Sequence, residues 1–486
     1  MVEKSHFQNE VVFISTPAIG MLTPTVEFAR RVVNHHSGRL SATVLLIPVP
    51  QWPTIHSYTQ SLPATSSHNL RFHLLPTMHP PSPDHFNSYV AHISSLIEQH
   101  KPNVKNAIVS SNESDSESGR RFIGLFVDMF CTTMIDVAVG LQIPSYLFFA
   151  SPASFLSFML DVTSLDSQLS RDSVTELRVR GFVNSVPRSV LPTSVLKQGD
   201  GYSWYLHHGR RFTETKGIIV NTFTELEPFV LDTLSTSDVP KVYPVGPIMD
   251  LNGPAQWHPD RAQQEGITKW LDNQPASSVV FLCFGSMGCL SGPQVKEIAL
   301  GLERAGFRFL WSLREPPKTR LGLPSEYLNL DDALPSGFLE RTARMGLGLV
   351  CGWVPQVTIL AHRAIGGFVS HCGWNSILES LWYGVPIATW PVYAEQQMNA
   401  LEMVKELGLA IEIRLDYREG SDLVLAEEVE KGIKGLMISD NEVRAKVKGM
   451  KEKSRIALME NGSSYESLGI LVEELMANYE KLKATQ

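Results

Sequence analysis

Residues 353–396 read WVPQVTILAHRAIGGFVSHCGWNSILESLWYGVPIATWPVYAEQ, and their order decides the fold. GGFVSH (366–371) is a short β-rich run, a glycine turn through Gly373 follows, and a helical pattern opens around Asn375 and Ser376. PIATWPV (386–392) then supplies a second strand, so the stretch reads as a βαβ unit of a parallel sheet. A helix start carries unpaired N–H groups and a partial positive charge, which suits an anion such as a diphosphate. The Asn375 amide and Ser376 hydroxyl add donors there, and His371 stands just before the turn as another. Glu379 lies three residues past Ser376, one turn deeper on the same helix face. A carboxylate in that position accepts from two vicinal hydroxyls, as a ribose offers.

Trp353, at the end of a strand, offers a flat face for a base. Glu395 and Gln396 close the stretch with an acceptor and a donor suited to a row of sugar hydroxyls. A second glycine turn, FGSMG (284–288), follows another strand and brings Ser286 toward the phosphate position. Taken singly, each feature also reads as structure: a helix cap, a core indole, a solvated helix face, a satisfied histidine. Their succession in one block points to a nucleotide-sugar site.

The same alternation of apolar runs and amphipathic helical patterns extends along the chain. Strands are expected at 11–16, 42–49, 122–130, 145–151 and 217–223, then at 279–285, 307–313, 347–354, 366–371 and 386–392. Residues 245–266 are rich in Pro, Gly and polar side chains, and the linker proper is expected at 249–266. Segments 62–84 and 109–120 read as surface loops, and 463–482 carries helical periodicity. The expected division is therefore a first α/β unit at 1–248, the linker, a second at 267–462, and a terminal helix in 463–486.

With 486 residues, 43% of them hydrophobic, the chain is long enough for two cores. Its 42 basic and 50 acidic residues give a net charge of −8 with no basic stripe, which argues against nucleic acid. No apolar run is long enough to span a bilayer, and the polar opening MVEKSHFQNE is unlike a signal peptide. The five cysteines show neither CxxC nor zinc spacing and read as reduced thiols of a cytoplasmic protein.

Segment 353–396 resembles the signature box of plant family 1 UDP-sugar-dependent glycosyltransferases. VDMFCTTMIDVAVGLQIPSYLFF, GIIVNTFTELEP, VYPVGP and FLCFGSMG are similar to that family's pattern as well, so the resemblance covers essentially the whole chain. It implies the α/β GT-B architecture: two Rossmann-like domains facing across a cleft, acceptor held mainly by the first and donor by the second. The last helix would cross back onto the first domain. By position, Trp353 would stack the uracil, Val354 would pair with it through its backbone, and Gln356 and Glu379 would hold the ribose. His371, Asn375, Ser376 and Ser286, with Gly373 in the turn, would meet the diphosphate. Trp374, Glu395 and Gln396 would face the sugar, and a final Gln is the family's usual mark of UDP-glucose. The resemblance further implies inverting, metal-independent transfer by a monomer, with UDP-glucose as co-substrate, no cofactor, and a small lipophilic plant metabolite as acceptor.

One departure bears on the chemistry. In the family the turn after the first strand ends Gly-His, and that histidine takes the acceptor's proton while an aspartate orients it. Here Gly20 is followed by Met21, while Asp128 of LFVDMF matches the aspartate. A thioether cannot accept a proton, which removes a contribution of about 10²–10⁴-fold. Ala150 also stands where relatives often carry Thr, with Ser151 beside it. Three explanations are open. The acceptor arrives ionised; or Asp128, with His79 or His85 as weaker candidates, acts as base; or the chain binds nucleotide sugar without transferring it. The bland reading of Asp128 is a strand-end carboxylate capping a neighbouring turn.

Overall fold

The computed structural model describes residues 8–35, 40–114, 120–251, 261–318, 322–418, 420, 423–438 and 441–485. In the first half, seven parallel strands are β1 (Gln8–Ile14), β2 (Leu40–Leu46), β3 (Leu70–Leu74), β4 (Arg120–Val127), β5 (Ser145–Phe149), β6 (Ile218–Val220) and β7 (Val242–Pro244). Their order is β3-β2-β1-β4-β5-β6-β7. In the second half come β8 (Val279–Cys283), β9 (Arg308–Ser312), β10 (Gly348–Cys351), β11 (Ile365–Ser370), β12 (Ile387–Thr389) and β13 (Ala410–Glu412). These are again all parallel, in the order β10-β9-β8-β11-β12-β13. Both sheets are doubly wound, as two Rossmann-like domains of the GT-B architecture require.

In such a sheet the strand order reverses at one place, and the chain leaves a crevice there at the carboxyl ends. The reversals fall between β1 and β4 and between β8 and β11. The register sets Ile14 opposite Val127 and Cys283 opposite Ser370. Hence Ser15, Thr16 and Asp128 emerge together from one sheet, and Gly285, Ser286 and His371 from the other. The candidate site residues lie just past these strand ends because that is where a parallel sheet stops covering its own backbone.

Burial on both faces explains the near-continuous apolar strands, such as the fully buried Val279–Cys283. Under the first sheet, Phe13 stacks on Phe126 and Phe28 on Phe148, each pair at 4.7 Å, with Phe28 supplied by helix α1 (Ile19–His35). The terminal helix, Ser463–Thr485, buries Leu468, Leu471, Val472 and Leu475 in that same core, so the chain's end does cross back. Four such side chains are worth roughly 6–12 kcal/mol as an upper figure, before the entropy of ordering the helix. Ser463 and Ser464 fasten its start by donating to Glu225 at 2.8 Å and to the Gly246 carbonyl at 2.5 Å.

Three sequence expectations need correction. The presumed loop 62–84 contains a helical turn at Leu62–Thr65 and strand β3. The presumed loop 109–120 is helical as far as Ser114, where helix Lys101–Ser114 ends, and residues 115–119 lie outside the described part. Helix Arg261–Asp272 begins inside the stretch read as linker, of which 252–260 lie outside the described part. No helix among the described residues is long and apolar enough to cross a membrane.

Candidate active site

On the second sheet, the His371 imidazole is wedged between two backbones. A Cβ on Gly285 or on Gly373 would stand 2.5 Å from its Nε2, so both positions need glycine. Gly285 also has φ of 77°, in the left-handed region. Burial pushes the imidazole pKa down to about 4, against the Cys283 backbone pulling the other way. His371 is therefore neutral at pH 7 and carries one N–H. The turn beyond it is held with Cys372 at φ 61° by Asn399, whose Nδ2 donates to the Cys372 carbonyl at 3.0 Å. Helix α2 (Trp374–Tyr383) then starts from Gly373, which has no side chain to cap it. Its first N–H groups are left to an anion or to water.

Gln356 opens the short helix Gln356–Leu360 directly after Trp353-Val354-Pro355 and reaches across to α2. Its Nε2 lies 2.7 Å from both Ser376 Oγ and Glu379 Oε2, donating to each. The polar residues assigned to phosphate and ribose thus form one connected group. Burial raises the Glu379 carboxyl to about pKa 7, opposed by the Gln356 hydrogen bond and reinforced by Asp250. Trp353 is half-buried, and its backbone N–H donates to Glu326 at 3.1 Å, a carboxylate also met by Arg314 at 3.2 Å. Val354 is buried beside it, and Ser286 is exposed at the tip of its turn.

At the far end of the site, Trp374, Gln396 and Glu395 are each tied into hydrogen bonds of their own. The Trp374 indole is buried, with Nε1 donating to the Asn221 carbonyl of the first half at 2.7 Å. Only the Trp374 backbone stands at the helix start. Gln396 Oε1 takes the N–H groups of Val392 and Tyr393 at 2.9 and 3.0 Å, so its acceptor end is engaged within its own turn. The locked carboxamide presents its N–H donors, leaving Glu395 as the acceptor of the pair. Glu395 is raised above the usual carboxylate range by burial and receives the Ser151 hydroxyl at 3.2 Å. Asn375 reaches the first half too, donating from Nδ2 to the Gly20 carbonyl at 3.0 Å.

On the first sheet, Asp128 is saturated. Its Oδ2 accepts from Ser15 Oγ at 2.9 Å and Thr16 N at 2.5 Å. Its Oδ1 accepts from Thr16 Oγ1 at 2.9 Å, Phe130 N at 3.0 Å and Cys131 N at 3.1 Å. A carboxylate has about four lone-pair sites, and five donors use them all. The geometry is that of a clamp tying the β1 turn to the end of β4. Met21, half-buried in the first turns of α1, packs against the apolar cores on both faces of the sheet. His79 and His85 are exposed. Ala150 is buried and brings no hydroxyl.

Sequence reading did not find Asn221, which grips Ile248 in both directions at 3.1 and 2.6 Å while its carbonyl takes the indole. The GIIVNTF motif marks the position without revealing its partners. Among the described residues, no group of three or more His, Cys, Asp or Glu side chains is arranged to hold a metal ion.

A family model described as UDP-glucoronosyl and UDP-glucosyl transferase matches residues 208–444. The chain is 54% identical to UDP-glycosyltransferase 43 of Pueraria montana var. lobata, over 96% of its own length and 99% of the relative's. It is 45% identical to UDP-glucose flavonoid 3-O-glucosyltransferase 6 of Fragaria ananassa, over 97% of its length and 99% of that relative's. In structure it is similar to Medicago truncatula UGT71G1 complexed with UDP-glucose, with a TM-score of 0.88 and 44% identity, covering 98% of this chain and 100% of that one.

Proposed function

This chain belongs to the plant family 1 UDP-glycosyltransferases, and from that premise we propose that it glucosylates acceptors whose reacting oxygen is already anionic. The donor is UDP-glucose and the acceptor a small lipophilic plant metabolite, a carboxylic acid or an acidic phenol. The transfer is inverting and independent of metal, carried out by a cytoplasmic monomer.

The acceptor oxygen attacks the anomeric carbon from the face opposite the diphosphate, which yields the β-linked product. As the C–O bond to UDP breaks, negative charge grows on the leaving phosphate. The open start of α2 supplies donors for that charge, and His371 adds its single N–H in the tautomer that turns it from the Cys283 carbonyl to the phosphate. Gln356 and Glu379 hold the ribose, and Trp353 covers the base. The Glu395 carboxylate accepts from, and the fixed Gln396 amide donates to, the sugar hydroxyls, which supports glucose as the hexose. The Fragaria relative, named for a flavonoid 3-hydroxyl, supports phenols among the acceptors.

The observation that carries the reading is the pairing of Met21 with an Asp128 already accepting five donors. Neither side chain can take the acceptor's proton, because a thioether is too weak a base and the Asp128 lone pairs are already engaged. A carboxylate or phenolate brings no proton to remove. Met21 equally supports a second reading, a nucleotide-sugar binder that transfers nothing, and one assay decides. UDP release is measured with a panel of carboxylic acids, phenols and aliphatic alcohols, for the natural protein beside Met21→His. Carboxylates should react with both at similar rates, and alcohols should gain up to about 10²–10⁴-fold with the histidine. Brisk transfer to neutral alcohols by the natural protein would refute the proposal, and silence toward the whole panel would favour the binder.

A further inference from the structure

Away from the donor site, two carboxylates meet where the halves touch. Glu227 follows β6 in the first half, and Glu402 opens the π-helical turn Glu402–Glu406 that continues helix Gln396–Leu401 in the second. They are 1% and 2% exposed. Both hold Ser154: its N–H donates to Glu227 Oε1 at 2.9 Å and its hydroxyl to Glu402 Oε2 at 2.6 Å. Glu227 also takes the Ala153 N–H at 3.0 Å and so caps helix Ala153–Asp161, whose preceding Pro152 has no side-chain oxygen to do so.

The surroundings offer no compensating charge. Glu406, one turn along from Glu402, adds a further negative group, itself bound by the Val183 and Asn184 N–H groups at 2.9 and 3.2 Å. On the first half, the Thr222 hydroxyl faces Glu227, Asp161 is spent on Arg180, and Glu225 accepts from Ser463. Among the described residues no cation is ion-paired with Glu227 or Glu402. Burial raises both above the usual carboxylate range, Glu402 the further, with Glu227 as its next cause. Two buried carboxylates in contact cannot both ionise; with one proton between them, repulsion becomes a hydrogen bond.

A second link joins the same two segments. Ser151, three residues before Ser154, donates to Glu395, seven residues before Glu402. We propose that Glu227 and Glu402 share one proton across the cleft and, with Ser154, latch the two halves so that Glu395 is positioned against the sugar. These are positioning residues rather than catalytic ones. The positioning half rests on the sugar-facing role proposed for Glu395; the shared proton does not.

The test uses the full chain, natural protein beside Glu402→Gln, with Glu227→Gln as the second variant should the first not fold. Infrared spectra at pH 7 should show one protonated carboxyl more in the natural protein than in the Gln variant, the contribution of Glu379 being common to both. The KM for UDP-glucose, taken with a carboxylic acid acceptor from pH 6 to 10, should rise about tenfold per pH unit once the proton leaves. In the variant, whose amide cannot ionise, that rise should be absent. A band unchanged by the substitution overturns the shared proton. KM profiles that rise in parallel overturn the positioning. If no acceptor is glucosylated, the function proposed above fails, and the infrared comparison still decides the latch.

Discussion

Asp128→Asn separates a structural carboxylate from a catalytic one, because the two roles predict opposite losses. Placed at Oδ2, the new amide nitrogen faces the Ser15 hydroxyl and the Thr16 N–H. The hydroxyl can turn and accept, but the Thr16 N–H cannot. Placed at Oδ1, the nitrogen faces two backbone donors, Phe130 and Cys131, which is worse. The better orientation therefore strands one buried N–H, at about 1–3 kcal/mol. The remaining bonds lose their charge assistance, bringing the total to roughly 2–4 kcal/mol. For a domain of this size that is a fall in Tm of roughly 4–16 °C. The assay pairs thermal unfolding with UDP release under conditions where both proteins are folded. Turnover by the variant should stay within several-fold of the natural protein. A variant that melts with the natural protein yet loses about 10²–10⁴-fold in kcat would restore Asp128 as the base and refute the reasoning.

Glu379, at about pKa 7 against an ordinary 4.5, binds a proton in the folded state that the unfolded chain releases. Its contribution therefore makes the ligand-free protein less stable as pH rises from about 4.5 to about 7. Ribose hydroxyls donating to the carboxylate reverse that preference, so binding of UDP-glucose, which has no phosphate titrating near pH 6, should release close to one proton at pH 6 and none at pH 8.5. Calorimetry in two buffers of different ionisation enthalpy reads this directly, and identical enthalpies at pH 6 would remove Glu379 from the nucleotide site. Gly285→Ala drives a methyl to 2.5 Å from His371 Nε2 at a left-handed backbone position. Overpacking costs about 1–3 kcal/mol of stability, and the shift of His371 that relieves the clash should also weaken UDP binding. Unchanged affinity would mean the wedge around His371 does not shape the site.

The fold was legible wherever a strand is buried on both faces, because the apolar run then has no polar interruption. β3 escaped for the converse reason: LRFHL lies at a sheet edge, with Leu70 buried but His73 exposed, so it reads as loop. Helix Arg261–Asp272 was hidden by a polar opening, although Ile267 and Leu271 at helical spacing are buried beneath it. The donor group was legible because its members are close in sequence and each carries a recognisable chemistry. What could not be read are pairings set by the meeting of the two halves: Trp374 with Asn221, Ser151 with Glu395, and Ser154 with Glu402. The sequence supplies the Gln396 amide, and the turn at 392–393 engages its oxygen end.

The central claim is that no side chain of this protein takes the acceptor's proton. Its most direct measurement is kcat/KM against pH, at saturating UDP-glucose, for a carboxylic acid and for a phenol of pKa about 10. The account predicts a flat profile for the acid from pH 6 to 9. For the phenol it predicts a rise of about tenfold per unit, following the ionised fraction. A phenol used equally well at pH 6 and pH 9 would contradict it, since the protein would then have to supply the base.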